Sequence, residues 1–96
     1  MVQCRTPTVG KDGITRIPGW KYRAVRAAIL DAVADAGPSG LLFRELSDQV
    51  RSRLDADDLT ELGSVGWHVT TVKLDMEVEG ELLRVAGATP QRLVLG

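Results

Sequence analysis

Apolar positions along this 96-residue chain follow distinct rhythms. Between Trp20 and Ala36, Tyr22, Val25, Ile29 and Val33 recur at spacings of 3, 4 and 4. That is one face of a helix, and Arg23, Arg26 and Asp31 lie off it. Gly37 and Pro38 come next, in the order that stops a helix. A turn at Ser39 leads into a short extended piece, Leu41–Phe43. A second helix is predicted from about Arg44 to Leu54, because Leu46, Val50 and Leu54 fall at i, i+4 and i+8, with Phe43 three positions ahead of Leu46. The acidic break Asp55–Asp58 offers Asp57 or Asp58 as the cap of one short turn through Leu62. Gly63 ends that turn, and Ser64 is a fair N-cap for a third helix.

The stretch Ser64–Gly80 predicts that third helix, with apolar residues on two opposite sides. At about 100° per residue, Val65, Val69, Val72 and Met76 share one side, and Trp67, Leu74 and Val78 lie nearly opposite. After Gly80 the rhythm changes. Glu81–Val85 and Gln91–Leu95 are short runs rich in Leu and Val, joined by the turn-forming Ala86–Pro90. Two such runs predict an antiparallel hairpin, and Pro90 is tolerated at the start of a strand. Residues 1–19 carry Pro7, Gly10, Gly13, Pro18 and Gly19 and irregularly spaced apolar positions. They predict an extended arm without helix, with a short strand near Ile14–Ile17.

The expected fold class is therefore α+β, mainly helical. An N-terminal arm (1–19) precedes a domain (20–96) of three helices, a short strand and a C-terminal β-hairpin. This is the order of a winged helix-turn-helix, with the hairpin as wing.

Size and composition narrow the function classes. The chain is long enough for one domain and a modest core. Its single cysteine, Cys4, excludes an internal disulfide, and its single histidine, His68, excludes a Cys/His zinc cluster. The first residues lack the apolar run of a signal peptide. No segment approaches the ~20 apolar residues of a membrane span. The expectation is a soluble cytoplasmic protein that does not engage membranes. The net charge of −1 conceals an asymmetry: residues 1–30 hold six bases and one acid, whereas residues 31–64 hold three bases and eight acids. A basic front end attracts nucleic acid or an acidic partner. It is equally read as a solvated tail and helix start. The preference for Arg over Lys, with abundant Ala, Gly and Val, suggests a GC-rich bacterial genome.

Several tracts carry a resemblance. TTVKLDMEVEGELLRV (70–85) resembles the third helix and first wing strand of bacterial winged-helix proteins, and GLLFRELSDQV (40–50) resembles their entry into the second helix. More narrowly, KYRAVRAAIL, GSVGWHVTTVKLD and PQRLVL resemble an uncharacterised, domain-of-unknown-function family of short bacterial proteins, over roughly Lys21 to Leu95. The resemblance implies a winged helix and brings no assigned activity.

Two function classes stay open. The first, favoured because the winged-helix order most often serves nucleic acid, is a regulator-like module that binds double-stranded DNA. Its candidate residues are Thr70, Thr71 and Lys73 on the third helix, Arg84 and Arg92 beside the wing tip, and Lys21 and Arg23 on the first helix. Against it, the outer side of the third helix also bears Trp67, Leu74, Glu77 and Val78, and its one base, Lys73, faces Asp75, Glu77 and Glu79. Phosphate contacts, which dominate DNA affinity, are few there. Arg84 and Arg92 also read as ordinary solvent-facing strand residues. The second class is a module for protein interaction or homodimerisation, in which Trp67, Leu74 and Val78 form the contact. Four coverings of that stripe remain open: the chain's own arm through Val9, Ile14, Ile17 and Trp20; a second copy; another protein; or a core that takes in both sides of the helix.

The reactive groups point away from enzymatic activity and from any cofactor or metal. His68 shares a side of its helix with Asp75 and Glu79, but at ~1.5 Å rise per residue they lie about 10 Å or more away. A surface or boundary histidine is expected. Cys4 has no helix terminus beside it to lower its pKa. Ser64 caps a helix and has no histidine placed to activate it. Asp55, Asp57 and Asp58 lack a calcium-loop pattern, and Gly63–Gly66 lacks the succeeding Gly-Lys-Ser/Thr of a phosphate loop.

Overall fold

The computed structural model describes residues 1–5 and 15–96. Strands β1 (Val2–Cys4) and β2 (Thr15–Ile17) precede helix α1 (Gly19–Ala36). A single 3₁₀ turn at Gly37–Ser39 leads to β3 (Leu41–Leu42), α2 (Phe43–Arg51), α3 (Ala56–Leu62), α4 (Val65–Val78), β4 (Leu82–Arg84) and β5 (Arg92–Leu95). The class is α+β and mainly helical. No helix among the described residues is long and apolar enough to cross a membrane.

The predicted stripes are the core. Val25, Ile29 and Val33 of α1, Leu46 and Val50 of α2, and Val65, Val69, Val72 and Met76 of α4 are all buried. Tyr22, Phe43 and Leu54 pack against them at the edge of the core. The sheet closes one end. β5 runs between β3 and β4, antiparallel to both, with Leu41 opposite Leu93 and Leu82 opposite Leu95. Leu41, Leu82 and Leu93 turn inward. Gly40 makes this junction possible. Its φ is +84°, and a Cβ there would stand 3.0 Å from the Leu93 carbonyl. An L side chain resists that backbone angle, and it would also press on the strand that β3 must pair with.

Element ends differ from the sequence expectation for identifiable reasons. α2 starts at Phe43 and stops at Arg51, three residues short of Leu54. The Arg53 guanidinium turns back to Asp31 and Asp35 of α1, at 2.8 and 2.7 Å. The acidic break forms a seven-residue helix, α3, and its cap is Asp55 rather than Asp57 or Asp58. Asp55 stands outside the helix, where its carboxylate accepts from the Asp58 amide at 2.8 Å. Ser64 caps α4 as expected, accepting from the Trp67 amide.

The N-terminal residues contribute to the same core. β1 pairs antiparallel with β2, setting Val2 opposite Ile17 and Cys4 opposite Thr15. Cys4 and Ile17 are buried with the helical residues. β1, which no apolar rhythm signals, lies against α4 through this pairing. Val9 and Ile14, part of the arm that is one of the open coverings of the third helix, lie outside the described residues.

Candidate functional site

α4 is the element on which the sequence concentrates both classes of candidate residue. Its core side is as predicted, but its flanks are not. Lys73, expected near the edge of the outer face and available to phosphate, is 2% exposed. Its ammonium lies 3.1 Å from Glu77 and 4.5 Å from the centre of the Phe43 ring. Burial pushes the Lys73 ammonium below its ordinary value, although the hydrogen bond to Glu77 opposes this. Arg84 reaches across from β4 to the same carboxylate. Burial alone would push Glu77 up. The hydrogen bonds from Arg84 and Lys73 outweigh it and hold the carboxyl below the usual carboxylate range. Two of the cations proposed for DNA are thus brought together on one acid, which offsets one of their two charges.

The opposite flank is a second polar network. Asp75 is 3% exposed. It accepts from the Arg5 amide at 2.9 Å, from Arg5 Nε at 3.3 Å and from the Tyr22 hydroxyl at 2.8 Å. Arg5 also pairs with Glu79. Burial, together with the hydrogen bond to Asp75, raises the Tyr22 hydroxyl well above its ordinary value. Burial, with Asp75 adding to it, pushes the Cys4 thiol up to about 11. This network locks β1 to α4 and α1. Sequence spacing misses it because its members are 53 and 70 positions apart. The local sign is Asp75 itself, set between the apolar Leu74 and Met76.

His68, expected at the surface or its boundary, lies on the buried side of that boundary. It is 8% exposed, and its Nδ1 donates to the Ser64 carbonyl at 2.7 Å. A carbonyl only accepts, so Nδ1 carries the proton. The imidazole stands edge-on to Trp67, with ring centres 4.8 Å apart. No cluster of three or more metal-ligating side chains occurs among the described residues. A shallow cavity of about 400 Å³ between the end of α1 and β5 is lined by Val33, Ala34, Gly37, Pro38, Val94 and Leu95. Its lining bears no titratable or nucleophilic side chain.

Between the two paired flanks lies the outer face of α4. Trp67 is 48% exposed and Val78 38%. Thr70 is exposed, and Thr71 and Leu74 are half-buried. This face bears no charged group of its own. The remaining candidates stand elsewhere. Arg92 is half-buried and donates to the Gly40 carbonyl at 3.4 Å. Lys21 donates to the Leu62 carbonyl at 3.4 Å and sits 5.8 Å from the Trp20 ring centre. Arg23 is exposed on α1.

A family model matches residues 1–93. The chain belongs to a family of unknown function, DUF6958. The match to an uncharacterised family is the one the tracts after Lys21 point to, and it extends through the N-terminal strands as well. No curated protein and no solved structure matches the chain.

Proposed function

We propose that this family member is a non-enzymatic winged-helix module whose outer α4 face docks another protein chain. On this reading α1, α2 and α4 are the three helices of the winged helix, the β4–β5 hairpin is the wing, and α3 is an insertion ahead of the presented helix. The observation that carries the function is the chemistry of that presented helix. A DNA-reading helix offers cations and hydrogen-bonding side chains to phosphates and base edges. Here the one lysine is buried on Glu77, the nearest wing arginine is held by the same acid, and Trp67, Leu74 and Val78 face outward. An apolar centre between paired charged borders matches the layout of protein interfaces, and exposed apolar patches mark such sites.

The test is a photo-crosslinking residue at Thr70, exposed beside the Trp67–Leu74–Val78 stripe. The expected product is a protein adduct that disappears when Leu74→Glu is introduced. Adducts only with nucleic acid, or protein adducts unaffected by Leu74→Glu, overturn the reading.

A second reading, binding of double-stranded DNA through the front of the molecule, rests on Arg16, Lys21 and Arg23. None of these forms an ion pair among the described residues. Its signature is binding that weakens steeply with added salt and with Arg23→Ala.

A further inference from the structure

The front of α1 gathers a group of side chains that the α4 face does not use. Residues 15–30 contain Arg16, Lys21, Arg23 and Arg26 and no acid. Arg26 is paired with Glu81. Arg16 and Arg23 are exposed, and neither forms an ion pair among the described residues. Lys21 gives one donor to the Leu62 carbonyl at 3.4 Å, and its ammonium has further donors to offer.

These charges are placed against the field of their own helix. The first turn of α1 holds no acid, and Pro18 brings no side-chain cap to it, although an acid there is the stabilising choice. Arg23 instead folds back toward that end. A Cβ added to Gly19 would stand 3.0 Å from Arg23 Nη1, so the guanidinium lies over the first residue of the helix. Charges of one sign gathered in this way repel one another and attract a polyanion.

Trp20 narrows the kind of polyanion. It is 37% exposed and stands outside the core cluster, although an indole is among the largest apolar groups a small domain can bury. The Lys21 ammonium lies 5.8 Å from its ring centre. Trp20 and Arg23, three positions apart on α1, are neighbours on the helix surface. Arg16 is four residues back, within about 14 Å along the chain. A strand with unpaired bases uses such a group fully: a base stacks on the ring while the cations meet the phosphates on either side. Bases in a duplex are already stacked on one another and have no face to give. α3, which carries Asp57, Asp58 and Glu61, adjoins the group where Lys21 meets Leu62. Its acids repel phosphate and favour a path toward Arg16 and Arg23.

We propose that single-stranded nucleic acid binds across the front of α1, with a base stacked on Trp20 and the flanking phosphates held by Arg16, Lys21 and Arg23. The inference takes from the second reading above only that this surface meets nucleic acid, replaces the duplex by a single strand, and is independent of the α4 face.

The experiment uses the full chain carrying Trp67→Phe, which leaves Trp20 as the sole indole. Oligo(dT) of about 12 nucleotides, the scale of a single-strand site, is titrated in at low salt while tryptophan emission is followed. The same oligonucleotide paired with oligo(dA), and polyglutamate, are the comparisons. The expected result is quenching of Trp20 by oligo(dT), tighter binding of the single strand than of the duplex, and a slope of log K against log salt of about −2, as for three phosphates on a single strand. Trp20→Ala is expected to weaken binding of labelled oligo(dT), read by anisotropy, by about 10-fold or more, with an unchanged circular dichroism spectrum. If that variant unfolds, Arg23→Gln decides: it is expected to lower the salt slope by about 0.7 while the quenching of Trp20 persists, and an unchanged slope overturns the inference. A duplex bound more tightly than the single strand, with no effect of Trp20→Ala, overturns it and leaves the second reading standing. Binding of neither form at low salt overturns both. Polyglutamate that displaces oligo(dT) charge for charge also overturns it, because the surface then selects only negative charge.

Discussion

Replacing Asp75 by Ala tests whether the buried network on α4 holds the N-terminal strand in place. The substitution removes one acceptor that serves three donors: the Arg5 amide, Arg5 Nε and the Tyr22 hydroxyl. The Arg5 side chain is about half exposed, so its ion pair is screened and contributes little, ~0–1 kcal/mol. The other two bonds lie deeper. Each hydrogen bond to a charged acceptor is worth about 1.5–3 kcal/mol, and water reaching through the opened site recovers part of that. The expected loss is about 3 kcal/mol, or a fall in Tm of ~12–24 °C for a domain of this size. Asp75→Asn keeps one oxygen acceptor and is expected to lose roughly half as much. Urea denaturation gives the stability, and amide hydrogen exchange at Gln3, Cys4 and Arg5 reports whether β1 detaches from α4. A loss below ~1 kcal/mol for the alanine variant, or an Arg5 amide as protected as in the wild type, refutes the reasoning.

The shifted groups lead to two further outcomes. With its thiol raised to about 11 and buried, Cys4 is expected to resist iodoacetamide at pH 8 and to become alkylated at the rate at which the protein unfolds in urea; rapid labelling of folded protein contradicts this. Glu77 is held below the ordinary carboxylate range in the fold. Its contribution is thus full above the unfolded-state value of about 4.3 and is lost as pH falls through the lower folded value. Denaturation midpoints measured from pH 7 to 3 should fall more steeply for the wild type than for Glu77→Gln, and parallel curves would sink the assignment.

The helices and their inward faces were legible in the sequence because they depend on local periodicity. Val25, Ile29 and Val33, or Val69, Val72 and Met76, recur at a spacing that only a helix brings to one side, and Gly37, Gly63 and Ser64 mark ends through backbone or capping properties that act within a few residues. The hairpin Leu82–Arg84 with Arg92–Leu95 was legible for the same reason. The two-sided character of α4 also emerged from its spacing alone.

What the tertiary structure decided is the state of the charged and polar residues. Lys73 read as an available cation until Glu77, Phe43 and Arg84 enclosed it from α4, α2 and β4. His68 read as a surface or boundary group until its side of α4 was covered. Asp75 acquired a role only when β1 and α1 delivered Arg5 and Tyr22 to it. Whether a charge faces solvent depends on partners contributed by distant segments. Burial of a charge is tolerated only where such a partner arrives, and no local pattern records where that happens. Periodicity therefore determined which residues make the core, while the packing of distant elements determined which of the remaining residues stay free to meet another molecule.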